Sequence, residues 1–200
     1  MDESGPCAVL LLAAGASRRM GRPKQLLPVG GVPLVRAVAE QMLRSQVGPL
    51  IVVLGAGAPE ILPCLHGLDA RMVLNEKWEE GMGSSIRAGM RALVKLTPTP
   101  ASVILALADQ PGLPAGHLGR LVATHRESRA GIVASAVDGV ARPPVLFGAA
   151  WFSRLGELQG DAGARNLVRE NPGDVALLPL AAAIDLDTPE DYERMKAGQG

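Results

Sequence analysis

Four cationic side chains, Arg18, Arg19, Arg22 and Lys24, crowd into a short stretch near the N-terminus. They follow the small residues Ala13-Ala14-Gly15-Ala16-Ser17, which in turn follow an apolar run from Cys7 to Leu12. That order describes a buried strand delivering a flexible, cationic loop to a surface. Glycine leaves backbone N–H groups open to an anion because no Cβ stands in the way. The arginines and the lysine can then neutralise a polyphosphate and the charge that develops when it is cleaved. The spacing is not that of a Walker A loop, because five residues separate Gly15 from Gly21 and Arg22-Pro23 follow. The dinucleotide fingerprint G-x-G-x-x-G is also absent from it.

Four further groups carry chemistry. Asp109 directly follows the apolar run Val103-Ile104-Leu105-Ala106-Leu107-Ala108 and precedes Gln110-Pro111. A carboxylate fixed at a strand end can take a Mg²⁺ ion, which keeps several waters and needs only one or two protein carboxylates; a turn Asp before Pro is the plainer alternative. In Asp185-Leu186-Asp187-Thr188-Pro189-Glu190-Asp191, an extended Asp-Leu-Asp puts both carboxylates on one side. Thr188 or Asp187 also suits the cap of a helix that Pro189 begins. Asn75 to Ser85 contains Gly81, Gly83, Ser84 and Ser85 at the start of a helical pattern. Hydroxyls and open backbone there can hold a base or ribose, or merely cap the helix. Arg142-Pro143-Pro144 and Gly160-Asp161-Ala162-Gly163 offer a cation and a Gly-rich turn, both ordinary surface features by themselves. His66, His117 and His125 have neither metal-ligand spacing nor a companion nucleophile and read as structural or surface residues.

The elements that must position these groups alternate. Apolar runs at Ala8–Leu12, Leu50–Leu54, Arg71–Leu74, Val103–Leu107, Gly131–Ala136 and Val175–Leu178 predict strands. Helical spacing covers Pro33–Ser45, Ser84–Leu96, Pro114–Ser128 and Pro189–Lys196, with a Pro/Thr turn at Lys95–Pro100 and a loop or hairpin at Asp138–Pro144 that carries an antiparallel strand at Val145–Phe147. This pattern predicts an α/β fold with a mainly parallel sheet, helices on both faces and ligands at the carboxyl ends of strands. Residues 1–200 are expected to form one domain. At 48% hydrophobic and 20% charged residues, the chain has the material for a packed core. Its 20 basic and 20 acidic side chains cancel, which argues against a broad footprint for nucleic acid or an anionic membrane. Cys7 and Cys64 form no C-x-x-C pair and are expected as buried free thiols. With no long apolar span and no basic leader at Met1-Asp2-Glu3, the expected location is the cytoplasm.

The segment Leu12 to Pro28 closely resembles the signature L-A-A-G-x-S-x-R-M-G-x-x-K-x-L-L-P of nucleotidyltransferases acting on molybdopterin, and most of all the molybdenum cofactor cytidylyltransferases. Asn75–Met90, Ala108–Pro111, Arg142–Arg165 and Asp185–Asp191 resemble further segments of that family, in order. The resemblance implies a three-layer, Rossmann-like nucleotidyltransferase (GT-A-like) fold and transfer of CMP from CTP to the cofactor's terminal phosphate, with Mg²⁺. It implies that Leu12, Ala13, Ala14, Gly15 and Ala16 hold the nucleotide, assisted by Asn75, Gly81, Ser84 and Ser85. Arg19 would serve the leaving phosphates and Lys24 the α-phosphate, while Asp109 and Asp187 hold the metal, with Asp185 as the alternative to Asp187. Arg142 and Asp161 fall on the acceptor side, where Pro143 departs from the family's usual His or Asn. A recipient molybdoenzyme or its chaperone is the implied protein partner. GTP in place of CTP, a sugar- or polyol-phosphate acceptor, and a non-catalytic molybdopterin carrier are the competing readings. Some relatives bear oxidoreductase or purine-catabolism names, against which the intact Arg19, Lys24 and Asp109 weigh.

Overall fold

The computed structural model describes residues 5–181 and 185–197; Met1-Asp2-Glu3 lies outside them. In chain order it runs β1 (Cys7–Ala13), β2 (Pro28–Val29), β3 (Val32–Pro33), α1 (Leu34–Arg44), β4 (Leu50–Leu54), α2 (Ala58–Ile61), β5 (Ala70–Leu74) and α3 (Met82–Leu93). It continues through β6 (Ser102–Leu107), α4 (His117–Ser128), β7 (Ile132–Val137), β8 (Val140–Gly148), α5 (Phe152–Gly156), α6 (Arg165–Glu170), β9 (Val175–Pro179) and α7 (Pro189–Ala197). Seven strands form one sheet in the order β5-β4-β1-β6-β8-β7-β9, with β2 and β3 a separate hairpin. Among the described residues, only β8 runs antiparallel to its sheet neighbours.

Period-two alternation in β1 explains the layers. Cys7, Val9, Leu11 and Ala13 face one core with Val35, Val38 and Met42 of α1 and Leu121 of α4. Ala8 and Leu10 face another with Ile86, Met90 and Leu93 of α3. A strand buried on both faces reads as a continuous apolar run, the mark of a strand inside a parallel sheet. β1 has β4 on one side and β6 on the other, so its carboxyl end sits where the winding of the sheet changes direction. The cationic loop follows β1 and Asp109 follows β6 at that end of the sheet.

The 138–144 segment takes the hairpin form of its expected loop or hairpin: Asp138 and Gly139, at φ 51° and 77°, make a two-residue turn between Val137 and Val140, the geometry that suits Asp-Gly, and the antiparallel strand expected at Val145–Phe147 extends back to Val140. Two expectations need correction. α4 begins at His117 rather than Pro114, because residues 114–117 close a turn through the His117 amide and Pro114 carbonyl. Cys64 is only half-buried, since it lies on the short turn after α2, while Cys7 is buried and its thiol pushed up to about 11 by that burial.

α4 is tied to the β7–β8 pair by a buried polar contact, His117 Nε2 to Ser135 Oγ at 2.8 Å. Burial first, and the Arg120 guanidinium second, hold the His117 pKa below its ordinary value. The unfolded chain therefore binds more protons than the folded one below the ordinary histidine value, and stability falls as pH falls through that window. The urea midpoint is expected to drop between about pH 7.5 and about pH 5.5, and His117→Gln to flatten that dependence.

Candidate active site

The loop after β1 is organised by a residue that sequence reasoning did not single out. Gln25 is 3% exposed, and its Nε2 donates to the carbonyls of Ala13 (3.1 Å) and Gly15 (2.7 Å). Its Oε1 accepts from Ser17 Oγ at 3.1 Å, and Ser17 Oγ accepts from the Lys24 amide at 3.0 Å. One buried amide thus closes the loop from Ala13 to Lys24 on itself, turning the carbonyls of 13 and 15 inward. A Cβ at Gly15 would meet no protein atom within 4 Å, so the space over this backbone is open to a ligand. The signal was a polar residue placed between Lys24 and the buried Leu27, where the neighbouring pattern calls for something apolar.

At the floor of the cleft, Lys24 Nζ lies 2.6 Å from Asp109 Oδ2 and 2.9 Å from Asp187 Oδ1. Burial would lower the pKa of this ammonium, but the charges and hydrogen bonds of Asp109 and then Asp187 outweigh it, so Lys24 is held cationic. Burial raises the Asp109 pKa, with the Lys24 charge opposing it. Arg19 Nη1 reaches Asp187 Oδ2 at 3.4 Å, but its side chain is 76% exposed and free to swing. The sharing of one side by Asp185 and Asp187 follows from Leu186, fully buried on the opposite side, whose amide donates to the Asp109 carbonyl at 3.0 Å. Capping of α7 uses neither carboxylate: Thr188 and Asp191 exchange the cap bonds, and the Thr188 contacts lower the Asp191 pKa.

Asp109 and Asp187 could hold a divalent cation. Asp109 Oδ1 is buried with no hydrogen-bond partner among the described residues, an orphaned anionic lone pair of the kind a metal satisfies. No cluster of three or more ligating side chains exists among the described residues.

The opposite wall comes from β5 and α3. Asn75 and Ser84, expected beside the nucleotide, do not line the cleft. Asn75 is buried and spends its amide on Ser84 Oγ (2.8 Å) and Ser85 Oγ (3.0 Å), while its Oδ1 accepts from the Lys77 amide. Ser84 Oγ donates to carbonyls of Lys77 and Gly81, folding the segment before α3. Gly81, Ser85 and Trp78 do line the cleft. Gly55 is required beside them, because a Cβ there would lie 2.6 Å from Trp78 Cβ and 2.8 Å from Ala14 Cβ. Ala14 is thereby pressed into the wall, its carbonyl accepting from the Ala56 amide. Gly81 has φ +96°, and a side chain there would collide with Asp161 and Gly160. Asp161 therefore lines the cleft at the start of α3, on the Ser85 side.

Arg142 stands apart from this lining and approaches the floor through Asp185, at 3.5 Å. Asp185 Oδ1 accepts from Gln110 Nε2 at 2.7 Å. Leu12, Ala13, Ala14, Gly15, Ala16, Arg19, Lys24, Asp109 and Asp187 all border one cleft of about 500 Å³, in the range of small-molecule sites.

A model of the MobA-like NTP transferase domain matches residues 9–175. The chain belongs to this family. Within it, nicotine blue oxidoreductase of Paenarthrobacter nicotinovorans is 37% identical, over 97% of this chain and 98% of the relative. The crystal structure of the Rv0371c homologue from Mycobacterium sp. strain JC1 superposes with TM-score 0.84 at 34% identity, covering 96% of both chains. Rv0371c of Mycobacterium tuberculosis in complex with manganese gives TM-score 0.79 at 26% identity, covering 95% of this chain and 97% of that one. The cleft of this MobA-like chain is accordingly that of a nucleotidyltransferase.

Removing the buried amide should unfasten the nucleotide loop. Gln25→Ala is expected to cost about 1–3 kcal/mol in urea unfolding, and to weaken nucleoside triphosphate binding measured by calorimetry.

Proposed function

We propose that this chain transfers CMP from CTP to the terminal phosphate of a molybdopterin-type cofactor, releasing pyrophosphate. The observation that carries the reading is the cationic β1 loop closed over the Asp109–Lys24–Asp187 cluster. An oxygen of the acceptor phosphate attacks the α-phosphorus of CTP, the bond to the β-phosphate breaks, and pyrophosphate leaves in line. The acceptor oxygen is already ionised at neutral pH, so no general base is needed. Loop amides around Gly15 hold the triphosphate, and the mobile Arg19 meets the leaving phosphates. Lys24, already cationic, moves from its carboxylates to the charge developing at the α-phosphate. Bound by Asp109 and Asp187, Mg²⁺ would supply Lewis-acid neutralisation of phosphate charge; the manganese complex of the Rv0371c relative supports a divalent ion in this family.

A side chain at Ala14, which borders the cleft, supports CTP over GTP by leaving less room for a purine than a glycine there would. The whole-length likeness to a protein named nicotine blue oxidoreductase supports a second reading, an oxidoreductase.

Pyrophosphate release with Mg²⁺ and molybdenum-loaded pterin, compared across CTP, GTP, ATP and UTP, separates these readings. Release with CTP alone is expected, and equal use of GTP would overturn the base assignment. Oxidation of a reduced nicotinamide dinucleotide without pyrophosphate release would establish the second reading. Lys24→Ala should lose about 10²–10³ in single-turnover rate while still binding CTP, and Asp109→Ala should abolish release. Lys24→Ala also leaves Asp109 buried without its cation, so Mg²⁺ should raise its melting temperature more than that of the wild type.

A further inference from the structure

A fully buried polar cluster that no step of the transfer uses lies behind Arg142. Ser135 is 0% and His117 1% exposed. Ser135 Oγ donates to the Pro144 carbonyl at 2.7 Å. The hydroxyl proton being so used, His117 Nε2 donates to Ser135 Oγ at 2.8 Å, and Nδ1 is left to accept from Arg120 Nη2 at 3.2 Å. The imidazole is neutral and its tautomer is set by its two neighbours.

This cluster sits where the β7–β8 ladder breaks. Ala134 pairs with Val145 but Ser135 pairs with Arg142, so Pro143 and Pro144 are two extra residues pushed out of β8. Prolines lack the N–H that a ladder needs and are tolerated at a bulge, which re-aims the strand beyond it. The Ser135 hydroxyl satisfies the Pro144 carbonyl and pins the bulge to α4 through His117. Past the bulge, Arg142 is half exposed and makes a single long ion pair among the described residues, 3.5 Å to Asp185. Asp185 is in turn held by the buried Gln110, the neighbour of Asp109. Arg142 is thus anchored in direction but not saturated, beside the carboxylates where an incoming phosphate would meet repulsion.

We propose that Ser135, locked by His117, is a positioning residue that sets the Pro143-Pro144 bulge so that Arg142 receives the acceptor's phosphate dianion. The inference rests on the transfer reading both for the acceptor and for the place of Arg142 on its side of the cleft.

The test is a double-mutant cycle in binding, kept separate from turnover. Affinities for the molybdenum-loaded pterin phosphate and for CTP are measured by calorimetry on the full chain. Arg142→Ala should weaken the pterin about tenfold, as loss of a charge-assisted contact does. Ser135→Ala and His117→Leu should weaken it comparably with CTP affinity kept, and His117→Gln, which retains a donor, should restore it. Combined with Arg142→Ala, Ser135→Ala should add nothing. Additive losses, parallel losses for CTP and pterin, or an unaffected Ser135→Ala would each overturn the proposal. A wild type that binds both ligands but releases no pyrophosphate would instead sink the transfer reading and leave the cycle to decide this one.

Discussion

One ammonium group between two carboxylates sets the terms of this site. Asp109 is rigid because it ends a strand buried on both faces, and burial alone would drive it towards the neutral acid. Lys24 supplies the opposing charge, and it can do so only because Gln25 and Ser17 fold the loop back across β1. Asp187 joins from the far end of the chain, placed by the pairing of Leu186 with the end of β6. Nucleotide loop, sheet and C-terminal segment are therefore fastened at one charged point. A group that exchanges one anionic partner for another, without crossing an uncharged state, has a low cost of reorganisation when phosphate arrives.

The rest of the cleft contrasts order with access. Carbonyls at Ala13 and Gly15 are consumed by one buried amide, and Asn75 and Ser84 turn their polar groups onto each other and the adjoining backbone. What remains open is backbone over Gly15, the hydroxyl side of Ser85 and the swinging Arg19. Rigid walls with few free donors suit orientation, and the exposed Arg19 sits at the mouth with a single ion pair, to Asp187, among the described residues.

Most of the sheet was legible in the sequence, because β1, β4 and β6 are apolar on both faces and need no partner to be recognised. The cationic loop and Asp109 were legible too, since charge after a buried run has few structural uses. The start of β8 was not: Val140–Pro144 is short of apolar residues and holds two prolines, and its strand character comes from the Asp-Gly turn and the β7 partner. Asn75 and Ser84 were read as ligand groups because sequence carries residue type but not which neighbour takes the hydrogen bond. Gln25 and Gln110 went unweighed for the same reason, as each acts through contacts distant in sequence.

The lone antiparallel strand also shapes how such a chain can diversify. Because β8 runs against β6, its first residues, not its last, arrive beside the carboxyl ends of β1 and β6. Whatever those residues recognise is carried on the returning limb of a hairpin whose two-residue tip lies at the end of the sheet where the cleft opens. Lengthening or shifting that limb would retune the second substrate while leaving the first strand and its loop untouched. A family built this way can change what it modifies without relearning how to hold a nucleotide.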